Sequence, residues 1–206
     1  MRSIIRKLLF AVLLWFASGA GYAATLLVLG DSLSAAYGIG PREGWVSLLE
    51  ERLKQKRFDY SVVNASISGE TTSGGATRIG EALERERPAV VIVALGGNDG
   101  LRGLPVSQMK ANLSRIVTAA KGSGARVLLV GIRVPPNYGP RYALDFEGVF
   151  VAVGKQHRVP LVPYILQGIG DRRELMQDDN IHPTAAAQPR ILENIWPKLE
   201  PLLERK

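Results

Sequence analysis

Ala89-Val90-Val91-Ile92-Val93-Ala94, followed by Leu95-Gly96-Gly97-Asn98-Asp99, is the stretch that decides the fold. Six apolar, mostly β-branched residues run without a polar alternate, so the strand they form is buried on both faces. That is the mark of a parallel strand covered by helices on each side. Working outward, Arg126-Val127-Leu128-Leu129-Val130-Gly131 repeats the pattern, with a strand over 127–130, and Thr25 to Leu29 is a shorter apolar strand ending at Gly30. Ser61 to Asn64 and Pro160 to Val162 complete five strands. Helical signals lie between them. Trp45, Leu48, Leu49 and Leu53 recur at helical spacing and predict a helix over 43–56. A polar-faced helix over 75–86 is stopped by Pro88, and Pro105 opens another that runs to about Lys121 before Gly122 and Gly124. Arg141 to about His157 is the next, and a last helix starts near Pro189 and is expected to bend or break at Pro197. The alternation predicts an α/β fold, a three-layer α/β/α sandwich around a five-stranded parallel sheet. Ligands in such folds sit beyond the carboxyl ends of the strands.

The chain of 206 residues is 46% hydrophobic and 22% charged, a balance that excludes a disordered chain, a collagen-like repeat and a multi-span membrane protein. It has no cysteine, which excludes disulfides, a thiolate nucleophile, Cys-ligated zinc and iron–sulfur clusters. Two histidines are too few for a His-rich metal site, so no metal is expected. At the N-terminus, Arg2, Arg6 and Lys7 precede ten apolar residues, Leu8 to Ala17, too few to span a bilayer alone. Gly21 and Ala23 then occupy the small-residue positions of a signal-peptidase site. Residues 1–23 are therefore expected to be a cleaved secretory signal, with 24–206 as one domain; an uncleaved N-terminal anchor is the alternative. Cleavage would remove three basic residues and no acid, taking the net charge from +7 to +4. The basic run Arg52-Leu53-Lys54-Gln55-Lys56-Arg57 follows Glu50 and Glu51 and reads as a solvated helix face rather than a nucleic-acid patch.

Four loops carry chemistry. Gly30-Asp31-Ser32-Leu33 places a serine hydroxyl at a strand-to-helix turn, where a capping serine is the plain alternative. In the loop after the second strand, Gly69 can adopt positive φ and bring its N–H close to a ligand, or simply make a turn. Asn98, after Gly96-Gly97, offers a neutral amide at the sheet top; Asn98 or Asp99 could equally be a helix cap. In Asp178-Asp179-Asn180-Ile181-His182-Pro183, the proline keeps His182 out of a helix, and a carboxylate three residues earlier can curl back to its Nδ1–H. His157 reads as a helix-end histidine. A serine nucleophile needs a base, an orienting acid and an oxyanion site, and each role has a candidate. Asp178 competes with Asp179 for the acid.

With those residues quoted, the sequence resembles the SGNH (GDSL) hydrolases. Gly30-Asp31-Ser32-Leu33, Gly69, Gly97-Asn98-Asp99 and Asp179-x-x-His182 match that family's four blocks in order. LGDSLSAAYGI, NASISGETTSGG, LGGNDGLRGLP, MQDDNIHPTAAAQP and the loop Val134-Pro135-Pro136-Asn137-Tyr138-Gly139 are similar to the bacterial periplasmic thioesterase/protease/lysophospholipase subgroup. The resemblance implies an SGNH hydrolase fold and a serine esterase or thioesterase acting in the periplasm on small acyl esters and thioesters, including lysophospholipids and aryl esters. It implies no cofactor. Ser32 is the expected nucleophile, His182 the base and Asp179 the orienting acid, with the N–H groups of Ser32 and Gly69 and the Asn98 amide as the oxyanion hole. Leu101, Leu104, Pro135, Pro136, Tyr138, Ile165 and Ile181 lie where they could line an acyl pocket, and the loop 134–140 reads either as a lid or as a stiff connection. A monomer is expected, with no nucleic-acid partner and no stable membrane insertion after signal cleavage. Two other readings stay open: a carbohydrate or peptidoglycan acetylesterase on the same triad, and a non-catalytic flavin or phosphate binder.

Overall fold

A computed structural model describes residues 23–205. The expected signal, apart from Ala23, falls outside the described residues. Five strands form one all-parallel sheet: β1 (Ala24–Gly30), β2 (Tyr60–Asn64), β3 (Val90–Ala94), β4 (Arg126–Val130) and β5 (Leu161–Val162), in the order β2-β1-β3-β4-β5. Alternate residues of each strand face opposite layers. Leu26, Val28, Val90, Ile92, Leu128 and Val130 pack under α1 (Trp45–Gln55) and α6 (Gln188–Leu199). Leu27, Leu29, Val91, Val93, Val127 and Leu129 pack under α2 (Thr72–Glu86), α4 (Val106–Gly122) and α5 (Pro140–His157). Burial on both sides is why these strands are apolar throughout. The architecture is the three-layer α/β/α sandwich.

The chain winds outward from β1 to β2, then returns past β1 to β3. The loops leaving β1 and β3 therefore diverge and open a crevice at the carboxyl edge of the sheet.

Three elements differ from the sequence reading. The helix α2 starts at Thr72, not residue 75: Thr71 Oγ1 accepts the Gly74 N–H at 3.4 Å, and Gly75 is tolerated inside because a Cβ there would collide with Leu95. A five-residue helix, α3 (Gly97–Leu101), stands where a loop was expected. It is too short to leave a periodic signal, and it is entered through Gly96 at φ +124°, where a side chain would meet Phe150 and Met109. Finally, α6 is not broken at Pro197 but continues to Leu199. Its stripe of Ile191, Leu192, Ile195, Trp196 and Leu199 is buried, and that packing holds the helix together despite the missing N–H.

Candidate active site

Ser32 stands in the turn leaving β1. The Asp31 carbonyl accepts the N–H of Ser34 (3.1 Å) and of Ala35 (3.0 Å), and Asp31 Oδ1 accepts the Leu33 N–H at 3.1 Å. Gly30 is required at the bend, because a Cβ there would lie 2.7 Å from Ser34 Oγ and 2.8 Å from Ser66 Oγ. The Ser32 Oγ lies 2.9 Å from His182 Nε2, across 150 residues of sequence.

His182 rides on a loop held at several points. Met176 and Pro183 form an isolated antiparallel bridge, and the Gln177 N–H donates to the His182 carbonyl at 2.7 Å. Gln177 Nε2 donates to the carbonyls of Tyr37 (2.8 Å) and Pro183 (3.0 Å), tying this loop to the one that carries Ser32. Asp179 curls back as expected: Oδ1 accepts the N–H groups of Ile181 (2.9 Å) and His182 (3.0 Å), while Oδ2 lies 2.6 Å from His182 Nδ1. Asn180 takes φ +54° to make the bend, a conformation asparagine tolerates better than most residues. Asp178 faces the other way, into solvent, and pairs with Arg173 at 3.0 Å. His157 ends α5, its carbonyl bound by Lys121 Nζ, and does not line the cleft.

The electrostatics separate two carboxyls. For Asp179, desolvation works upward, but the bonds from the His182 ring and from the His182 and Ile181 N–H groups together outweigh it and hold the carboxyl down at about 2. It is ionised at any ordinary pH, which fixes a proton on Nδ1 and leaves Nε2 to accept one from Ser32. Asp31, beside the serine, is buried, and that burial pushes it up to about 6; the Leu33 N–H and the nearby His182 only partly oppose this.

The further oxyanion candidates come from the loop after β2 and from α3. Ile67 to Glu70 is a tight turn closed by the Glu70 N–H on the Ile67 carbonyl (3.1 Å), with Gly69 at its third position at φ +81°. Positive φ at that position is what makes glycine the natural choice. Asn98, in the first turn of α3, donates from Nδ2 to the Glu70 carbonyl at 2.9 Å, leaving its second amide hydrogen for the cleft. Ser32, Gly69, Asn98 and His182 all line one cleft of about 730 Å³.

Of the expected apolar walls, Leu101, Pro135 and Ile181 line that cleft. Tyr138 does not: its hydroxyl donates to the Leu101 carbonyl at 2.6 Å, so it braces a wall from behind. Leu104 is likewise outside, its carbonyl held by Tyr142, and Ile165 is buried in the core. Pro136 opens a short 3-10 turn, and its side chain lies outside what the structure describes. The loop 134–140 is thus tied to Leu101 by the Tyr138 hydroxyl, and the start of α5 behind it to Leu104 by the Tyr142 hydroxyl. The cleft also uses residues that sequence reasoning missed, among them Leu33, Ile132, Val134, Tyr164 and Met176. Asp99, read from the sequence as a possible helix cap, is buried and accepts the Thr72 N–H (2.8 Å) and hydroxyl (2.6 Å), docking α3 on the start of α2. Its only sequence signal was an acid beside Asn98, which a cap would also have produced. Tyr37 lies over the His182 ring with centroids 4.5 Å apart.

Comparison with known proteins follows the same lines. The model of the GDSL-like lipase/acylhydrolase family matches residues 28–189. The chain is 54% identical over 181 residues to the esterase TesA of Pseudomonas aeruginosa, covering 88% of this chain and 90% of that one. It is 43% identical over 195 residues to the thioesterase 1/protease 1/lysophospholipase L1 of Escherichia coli strain K12, covering 95% and 91%. A crystal structure of TesA, at 54% identity, superposes with a TM-score of 0.86 over 87% of this chain and 99% of that one.

Proposed function

The chain belongs to the GDSL-like lipase/acylhydrolase family and is an ester-hydrolysing enzyme, and from that premise we propose that Ser32, His182 and Asp179 are its catalytic triad. The observation that carries this reading is the unbroken relay from Ser32 Oγ to His182 Nε2 (2.9 Å) and from His182 Nδ1 to Asp179 (2.6 Å).

Ser32 Oγ attacks the acyl carbonyl carbon while its proton passes to His182 Nε2. The carbonyl π electrons move onto oxygen, and the N–H groups of Ser32 and Gly69 with the Asn98 amide receive the charge. Collapse of the tetrahedral intermediate expels the alcohol or thiol, which takes the proton from His182. Water, deprotonated by His182, then attacks the acyl-enzyme, and the acid leaves as Ser32 regains its proton. Asp179 keeps the imidazole in one tautomer and stabilises the imidazolium without itself taking a proton.

The substrates are acyl esters and acyl thioesters. Lysophospholipids and aryl esters belong to that proposed range, and the volume and apolar walls of the cleft favour an acyl chain over a lone acetyl group. Among the described residues no helix is long and apolar enough to cross a membrane. Residues 1–23 are proposed as a cleaved export signal and the periplasm as the site of action. The deciding experiment is fluorophosphonate labelling with p-nitrophenyl ester hydrolysis: wild type labels and turns over, and Ser32→Ala does neither. Wild-type turnover by Ser32→Ala would overturn the assignment.

A further inference from the structure

We propose that Arg102 is a positioning residue for the oxyanion hole, acting through Gly69; this rests on the triad and oxyanion reading above. The problem it solves is visible in the turn. Gly69 offers its N–H to the developing charge, yet as a glycine it is the residue least able to hold its own torsions. Its φ of +81° is set by the turn, not by a side chain, and a Cβ there would meet nothing closer than Arg102 Nη2 at 3.9 Å. No packing therefore grips Gly69 itself.

What grips it is polar and comes from α3. Arg102, the residue that caps α3, donates from Nη2 to the Gly69 carbonyl at 2.9 Å. Asn98, one turn earlier on the same helix, donates to the next carbonyl, Glu70, at 2.9 Å. The Glu70 side chain is anchored in turn to Arg78 of α2 at 2.6 Å. Two successive carbonyls of the turn are thus stapled to the short helix that carries the third oxyanion donor. The staples set the spacing between the Gly69 N–H and the Asn98 amide, which must reach one oxygen together.

The two staples are not equivalent. Asn98 has a second duty, because its other amide hydrogen faces the reaction. Any tightening of Asn98 onto the oxyanion pulls on its bond to Glu70. Arg102 has no such conflict: its guanidinium is exposed, touches none of the reacting atoms, and holds Gly69 whatever Asn98 does. A guanidinium also carries several donors in a planar fork, so an ammonium on a flexible stem would substitute for it only in part.

The test compares Arg102→Ala and Arg102→Lys with wild type on p-nitrophenyl octanoate. Alongside, it measures inhibition by an octyl trifluoromethyl ketone, which forms a reversible tetrahedral oxyanion on the serine, and by octanoic acid, which does not. Arg102→Ala is expected to lower kcat roughly tenfold, less than the loss from deleting a donor outright, with KM little changed. Its affinity for the ketone should fall by the same factor as kcat/KM, while binding of octanoic acid holds. Arg102→Lys should recover part of the loss. Rates within twofold of wild type in Arg102→Ala would overturn the proposal. So would a loss confined to KM, which would make Arg102 a ground-state contact, or equal weakening of ketone and acid. Ser32→Ala and Asn98→Ala run as controls: if both turn over normally, the underlying oxyanion reading fails, whereas normal Arg102→Ala beside crippled controls removes only the role of Arg102.

Discussion

At the scale of single residues, three carboxyls separate by surroundings rather than by position. Asp179 keeps its charge to about pH 2, so the acid limb of kcat/KM is expected to come from another group. Asp179→Asn should lower kcat by roughly 10²–10⁴-fold. Asp178→Ala should change it little, because Asp178 is exposed and paired with Arg173 while Asp179 is the carboxyl on the His182 ring. Kinetics of the two variants separate them directly. Asp31 behaves in the opposite sense. Its carboxyl rises from 3.8 to about 6 on burial, so between about pH 4 and pH 6 the folded protein keeps a proton that the unfolded chain has lost. Stability from this group is intact below that window and falls as pH rises through it. Asp31→Asn preserves an acceptor for the Leu33 N–H and removes the buried charge. Urea titration should find the variant more stable than wild type at pH 8, by up to about 3 kcal/mol, with the difference vanishing near pH 4. Equal stability of the two proteins at pH 8 would show that the ionised carboxyl is better compensated than its burial suggests.

At the scale of elements, the site depends on short pieces tied together by buried polar bonds. The bond pair from Thr72 to Asp99 joins α2 to α3, and Thr72 Oγ1 also accepts from Asn112. Thr72→Val keeps the shape and deletes the hydroxyl, leaving a carboxylate oxygen and an amide unpaired. It is expected to cost about 1–3 kcal/mol of stability and to lower kcat as α3 loosens, measured by thermal unfolding and ester kinetics on one preparation. Gly38 tests the other tie. Its φ is +74°, and a Cβ would strike the Gln177 side-chain carbonyl. Gly38→Ala should therefore displace the amide that links the serine loop to the histidine loop and reduce kcat with the fold retained. In α6, exposed Pro197 leaves the Glu193 carbonyl without a helical partner, so Pro197→Ala is expected to raise stability by about 1 kcal/mol without touching activity.

At the scale of the whole molecule, the sheet order collects loops from β1, β2 and β3 and the late 176–183 segment at one edge, where they enclose the cleft. Its size leads to an expected rise in kcat/KM from acetyl to octanoyl esters; a flat profile would argue against an acyl groove. The layers, the five strands and the four loop motifs proposed to carry the chemistry were legible in the amino-acid order because each is written in local terms. Apolar runs mark doubly buried strands, Gly30 and Gly69 mark turns, and Asp179 reaches His182 within three residues. The sequence by itself therefore determined the fold class and singled out the groups proposed to react. Only the tertiary structure decided the contacts that make them a site. Ser32 and His182 meet across 150 residues, Asp99 turns to Thr72 rather than to solvent, Tyr138 braces Leu101 instead of lining the cleft, and Arg102 reaches the Gly69 carbonyl. Periodicity reports which face of an element is buried. It carries no information about which distant side chain fills the space opposite, and that is set by the winding of the sheet.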